Sequence, residues 1–177
     1  MAKKQQQFSV SMLKPEVDFY KQTRDVTATL PDGTELPITF TPFFSPESIR
    51  ELLIEIGKFF EKAQEENLDV DSMSQEDIVN CFILKHYTDM KFTTSKKAKT
   101  LFNLFEILVN SKLYSDILDV IPEESILSVK EAIFKIYESS IEQEELITQK
   151  LMEAQANMPE LQNPELLDRL TKKDSDE

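Results

Sequence analysis

The chain has no tryptophan, one cysteine, one histidine and two glycines in 177 residues, and each shortage excludes something. Gly33 and Gly57 are too few for many strands joined by tight turns, and no Gly-rich loop is present to cradle a phosphate. A single cysteine forbids an internal disulfide and fits a reducing compartment. No run approaches the roughly 18 apolar residues that a membrane-spanning helix requires. The opening MAKKQQQFSV lacks an apolar core of signal-peptide length, so a cytosolic protein without membrane contact is expected.

What is present argues for a folded domain: 40% of the residues are hydrophobic and twelve are Phe. A net charge of −13 disfavours a nucleic-acid partner, because phosphate is repelled and few cations are available to displace its counterions. The charge is uneven. Residues 1–24 carry five bases against two acids, whereas residues 138–177 carry eleven acids against four bases. Ends of opposite sign suit self-association or two different partners, and equally a pair of solvated tails.

Along the chain, VTATL (26–30) and PITFTPF (37–43) alternate polar and apolar residues around PDGTEL, the pattern of a β-hairpin turning at Asp32-Gly33. A lone hairpin is marginal in water, so it must lean on helices, recruit FSVSMLK (8–14) as a third strand or pair with another chain. From Ser45 the period becomes helical. Ser45, Pro46 and Glu47 form a cap, and Ile49, Leu52, Leu53, Ile56, Phe59, Phe60 and Ala63 form one stripe, within which Gly57 either gains from close packing or is simply tolerated. A second helix follows from Ser74 toward Tyr87. A third, about 95–111, is apolar round so much of its circumference that it should be central. LYSDILDVI (113–121) is a short fourth helix.

A fifth helix, 122–156, should bury Ile126, Val129, Ile133, Ile136, Tyr137 and Ile141 and then project, before a flexible tail containing one nascent helix, PELLDRL. The expected fold is therefore mainly α (α+β). A basic N-terminal arm and hairpin (1–44) precede a compact bundle of about five helices (45–141), and a projecting helix end with an acidic flexible tail (142–177) follows.

Chemistry is sparse. Cys81 and His86 sit five apart in NCFILKHYTDMKF, which on a helix points them about 140° away from each other. They form no local dyad, and no second histidine offers another base. Cys81 reads as a packing residue, and His86, beside Val79 and Phe82 on the helical wheel, as a half-buried imidazole with a hydrogen-bond partner. LDVDSMSQED lacks the glycine and the spacing of a calcium loop. Lys96, Lys97 and Lys99 can offer a phosphate or an acidic partner a patch, although a solvated face is the simpler reading. No catalytic, cofactor or metal residue is assigned, and no enzyme is expected. The better candidates are partner-binding residues, Phe40, Phe43 and Phe44 beside the hairpin and Leu146, Leu151 and Met152 on the last helix, although core aromatics and an ordinary helix end are the plainer readings of the same residues.

The segment IVNCFILKHYTDMKF, followed by LFNLFEILVNSKLYSDILDVIPEESILSVKEAIFKIYE, resembles small helical proteins encoded in the tail modules of phages of Gram-positive bacteria, most nearly tail assembly chaperones. The resemblance implies a non-enzymatic protein in the host cytoplasm. It would keep a long hydrophobic client of the tape-measure type soluble and recruit tail subunits, with a longer frameshifted form common among such proteins. The alternative is a structural subunit of a virion or other assembly that uses its hairpin edge for strand addition.

Overall fold

A computed structural model describes residues 8–156 of the chain; for Leu151 and residues 153–156 only the helical backbone is described, and the expected acidic tail with PELLDRL lies outside the described residues. The architecture is mainly α with one small antiparallel hairpin. The N-terminal segment does not add a third strand. Val10–Leu13 makes a 3-10 turn that runs into helix α1, Lys14–Phe19, where Pro15 fits the first turn and cannot donate to a sheet.

Strands β1 (Arg24–Thr29) and β2 (Glu35–Phe40) pair in the register Val26↔Ile38 and Ala28↔Leu36. Their turn needs Gly33, whose φ is +85°, and the Asp32 carboxylate accepts the Thr34 amide at 2.9 Å. One face of the hairpin, carrying Ala28, Ile38 and Phe40, is buried. The C-terminal end of β2 is also engaged at its outer edge. Thr41 donates its amide to the Tyr87 carbonyl, Asp89 donates to the Thr39 carbonyl, and the Asp89 carboxylate accepts the Thr39 amide. With Pro37 earlier in the same strand, this edge is poorly suited to accepting another strand.

Helix α2 (Pro46–Glu65) begins where Ser45 Oγ accepts the Ser48 amide, and it buries Leu52, Ile56, Phe59 and Ala63 at i, i+4, i+7 and i+11. Gly57 meets nothing: a methyl group built on it would touch no heavy atom within 4 Å, so close packing is not its compensation.

Helix α3 (Gln75–Tyr87), capped by Ser74, rather than the apolar third helix of the sequence reading, is the central element. Cys81, Phe82, Ile83 and Leu84 are consecutive and wholly buried, a run that only a helix surrounded on all sides can hide. Helix α4 (Ala98–Val109) buries Ala98, Phe102, Phe105 and Leu108 but leaves Ile107 two-thirds exposed. It starts three residues later than Ser95 because its cap comes from elsewhere. The Glu66 carboxylate accepts the Ala98 and Lys99 amides, each at 3.0 Å. Phe59, Phe82 and Phe105 meet at ring-centroid separations of 5.0–6.2 Å and join α2, α3 and α4.

Helix α5 (Lys112–Leu118) contributes Ile117, and α6 (Glu123–Ala156) contributes Val129 to the same core. The chain divides into two units, one ending at Phe134 and the other beginning at Lys135. In the first, α6 buries Val129 and half-buries Ile126 and Ile133. In the second, α6 continues as helix in which Ile136, Tyr137 and Ile141, expected to be buried, are all exposed. Among the described residues, no helix is long and apolar enough to cross a membrane.

Candidate functional site

The two residues that first invite a chemical reading are held by different neighbours. Cys81 has no exposed surface, and burial, reinforced by the negative charge of Asp77, pushes its thiol up to about 12. A thiol protonated throughout the neutral range is neither a nucleophile nor a metal ligand. His86 instead faces α2, with Nδ1 3.5 Å from Glu55 Oε2, while Lys85 Nζ donates to Glu55 Oε1. The hydrogen bond from His86, followed by that from Lys85, outweighs partial desolvation and brings the Glu55 carboxyl down to about 2. This clasp ties α2 to α3.

A second polar tie joins α3 to α5. The Tyr114 hydroxyl donates to Asp77 Oδ1 at 2.7 Å and accepts from Asn80 Nδ2 at 3.2 Å, and burial together with the Asp77 contact raises the phenol's pKa. Among the described residues, no three or more His, Cys, Asp or Glu side chains converge as a metal site.

The candidate partner residues separate into two groups. Phe40 is 3% exposed and Phe44 is 5% exposed, stacked on Tyr87 with ring centroids 3.5 Å apart. Both are core aromatics, because the hairpin lays its apolar face on the helices, and neither has surface to offer a partner. Phe43 is half-buried, stacked on Phe19 at 4.1 Å with the Arg24 guanidinium over its ring. Leu146 and Met152 are 50% and 65% exposed; the Leu151 side chain lies outside the described residues.

The sequence reading missed Tyr137 and Ile141, which it assigned to the core. At about 100° per residue, Tyr137, Ile141, Thr148 and Met152 fall within about 60° of arc on α6. Ile141, Thr148 and Met152 line a shallow groove with Glu144 and Glu145. Leu146 and Ile147 lie outside that stripe and are also exposed. The available signal was the density of acids, at Glu138, Glu142, Glu144 and Glu145, which no buried helix would carry so closely. Chemically, this surface can receive an apolar helix flanked by basic residues.

Comparison with known proteins agrees with a phage connection. A family model described as YomO matches residues 10–173. The SPbeta prophage-derived uncharacterized protein YomO of Bacillus subtilis (strain 168) is 25% identical over 124 residues, covering 70% of this chain and 71% of the relative. No solved structure shows significant similarity.

Proposed function

The chain belongs to the YomO family, and on that premise we propose that it is a phage-derived, non-enzymatic assembly factor that binds protein. The reading is supported by the prophage origin carried in the relative's name and by the tail-module resemblance of residues 78–138. Its specific form is a tail assembly chaperone. The protein works in the host cytoplasm without cofactor, nucleic acid or membrane, holds a long hydrophobic client of the tape-measure type in solution and recruits tail subunits.

The observation that carries this reading is the second unit's helix, whose exposed apolar side chains stand among closely spaced acids. Apolar groups left in water along a helix are a contact surface waiting for cover, and the acids select a client with lysine or arginine beside its apolar positions.

Affinity capture of the tagged full chain from cells producing the phage, with mass spectrometry of the bound chain, tests the proposal. The expected catch is a long hydrophobic tail protein that precipitates when expressed without this chain and stays soluble with it. A strictly monomeric protein that captures no tail component and leaves the client's solubility unchanged would overturn it.

A further inference from the structure

The chain is acidic overall, yet five of its 20 lysines and arginines line one concavity of about 230 Å³. Lys58 and Lys62 reach it from α2, Lys85 from α3, and Lys96 and Lys97 from the segment leading into α4. Phe59 and Leu101 contribute an apolar floor, and Thr93 and Ser95 contribute hydroxyl groups at the rim. Glu55 also lines it, but its carboxylate is occupied by Lys85 and His86. Lys58, Lys62, Lys96 and Lys97 have no carboxylate within ion-pair distance among the described residues. The start of α4 is not itself the site, since Glu66 already occupies its first amides.

The Glu66 carboxylate lies close enough to Lys62 and Lys97 to be stabilised by their charge, but it offsets only part of the positive charge of the lysines that line this hollow, and an anion placed among them relieves the remaining repulsion. A monocarboxylate would leave most of the charge unmatched. A group with several acceptor oxygens and two or more negative charges matches it, and lysines bind phosphate well as mobile point charges. The Thr93 and Ser95 oxygens accept the amides of Ser95 and Lys97, so both hydroxyl protons remain available for a ligand oxygen. A polymeric nucleic acid fits poorly, because the concavity is small and the surrounding chain carries −13.

We propose that this pocket between α2, α3 and the entry to α4 binds a small molecule bearing a diphosphate or longer phosphate group. It shares no residue with the α6 surface and does not depend on the protein-binding reading of that helix.

Calorimetric titration of the full chain with inorganic pyrophosphate, at low and physiological salt, tests the proposal. One-to-one saturable binding that weakens with salt is expected. Lys58→Gln with Lys97→Gln should weaken it about tenfold or more. Lys58→Arg with Lys97→Arg should retain it, and Lys91→Gln, outside the pocket, should leave it unchanged. Parallel titration with adenosine diphosphate identifies the source of the phosphate: tighter binding than pyrophosphate assigns a nucleotide, and equal or weaker binding assigns an inorganic polyphosphate. Absence of saturation with millimolar pyrophosphate would overturn the proposal. So would an equal loss in the Lys91→Gln control, or saturation by a glutamate-rich peptide alone, which would assign the pocket to an acidic protein segment.

Discussion

Ser125 donates its hydroxyl to the Pro42 carbonyl at 2.7 Å, a buried hydrogen bond across 83 residues that joins the first turn of α6 to the segment leaving the hairpin. Ser125→Ala would leave that carbonyl without a partner in a site closed to water. The expected loss is about 1–3 kcal/mol, read as a lower denaturation midpoint with an unchanged denaturant slope. A variant as stable as the parent would show that water reaches the carbonyl.

Glu55 predicts an acid-sensitive component of stability. Its carboxyl lies at about 2 in the folded chain against an ordinary value of 4.5, so between those values the unfolded state binds more protons. The contribution is complete above 4.5 and is lost as the pH falls through about 2. Glu55→Gln should therefore flatten the fall in unfolding free energy across that window, measured by denaturant titration at successive pH values. An unaltered slope would separate the clasp from acid stability.

Gly57 sits exposed inside α2 with open space around it. Alanine there costs no packing and removes conformational freedom from the unfolded chain, so Gly57→Ala should stabilise by about 0.5–1 kcal/mol. A lower melting temperature would contradict the open surroundings.

Cys81 should resist alkylation at pH 8 in the folded protein and react only as fast as the chain opens. Mass spectrometry over time, with and without denaturant, gives the two rates. Prompt modification of folded protein would mean that α3 is not the enclosed element described above.

On α6, Ile141→Asp with Met152→Asp should abolish capture of the client while leaving the melting temperature nearly unchanged, since both side chains are exposed. Val129→Asp is the opposite case. An unpaired carboxylate at a fully buried position should cost about 4 kcal/mol or more and unfold the first unit. Retained capture in the double variant would move the binding surface elsewhere.

These expectations differ in how far local sequence could supply them. The hairpin with its turn at Asp32-Gly33, the Ser45 cap and the start of the second helix near Ser74 depend on neighbours within a few residues, and the sequence shows each of them. The start of α4 depends on Glu66, 32 residues away, and no local pattern contains it. Periodicity placed Ile136, Tyr137 and Ile141 on a buried face because it measures amphipathicity, not whether a neighbour exists to cover the face. The same limit made α4 look central, although the enclosing contacts belong to α3. Local sequence leaves Phe40 and Phe44 open between core and partner for a related reason, since an aromatic beside a hairpin has the same sequence whether it faces helices or water; the structure buries both.

Thr39 and Asp89 are 50 residues apart, and that separation is also an interval of time. At about 5–20 residues per second, a ribosome delivers Asp89 roughly 3–10 s after Thr39. Throughout that interval the outer edge of β2 has no lid. Pro37 then acts as a temporary guard, denying incoming strands one donor until α3 emerges and the Tyr87–Asp89 segment closes over the strand.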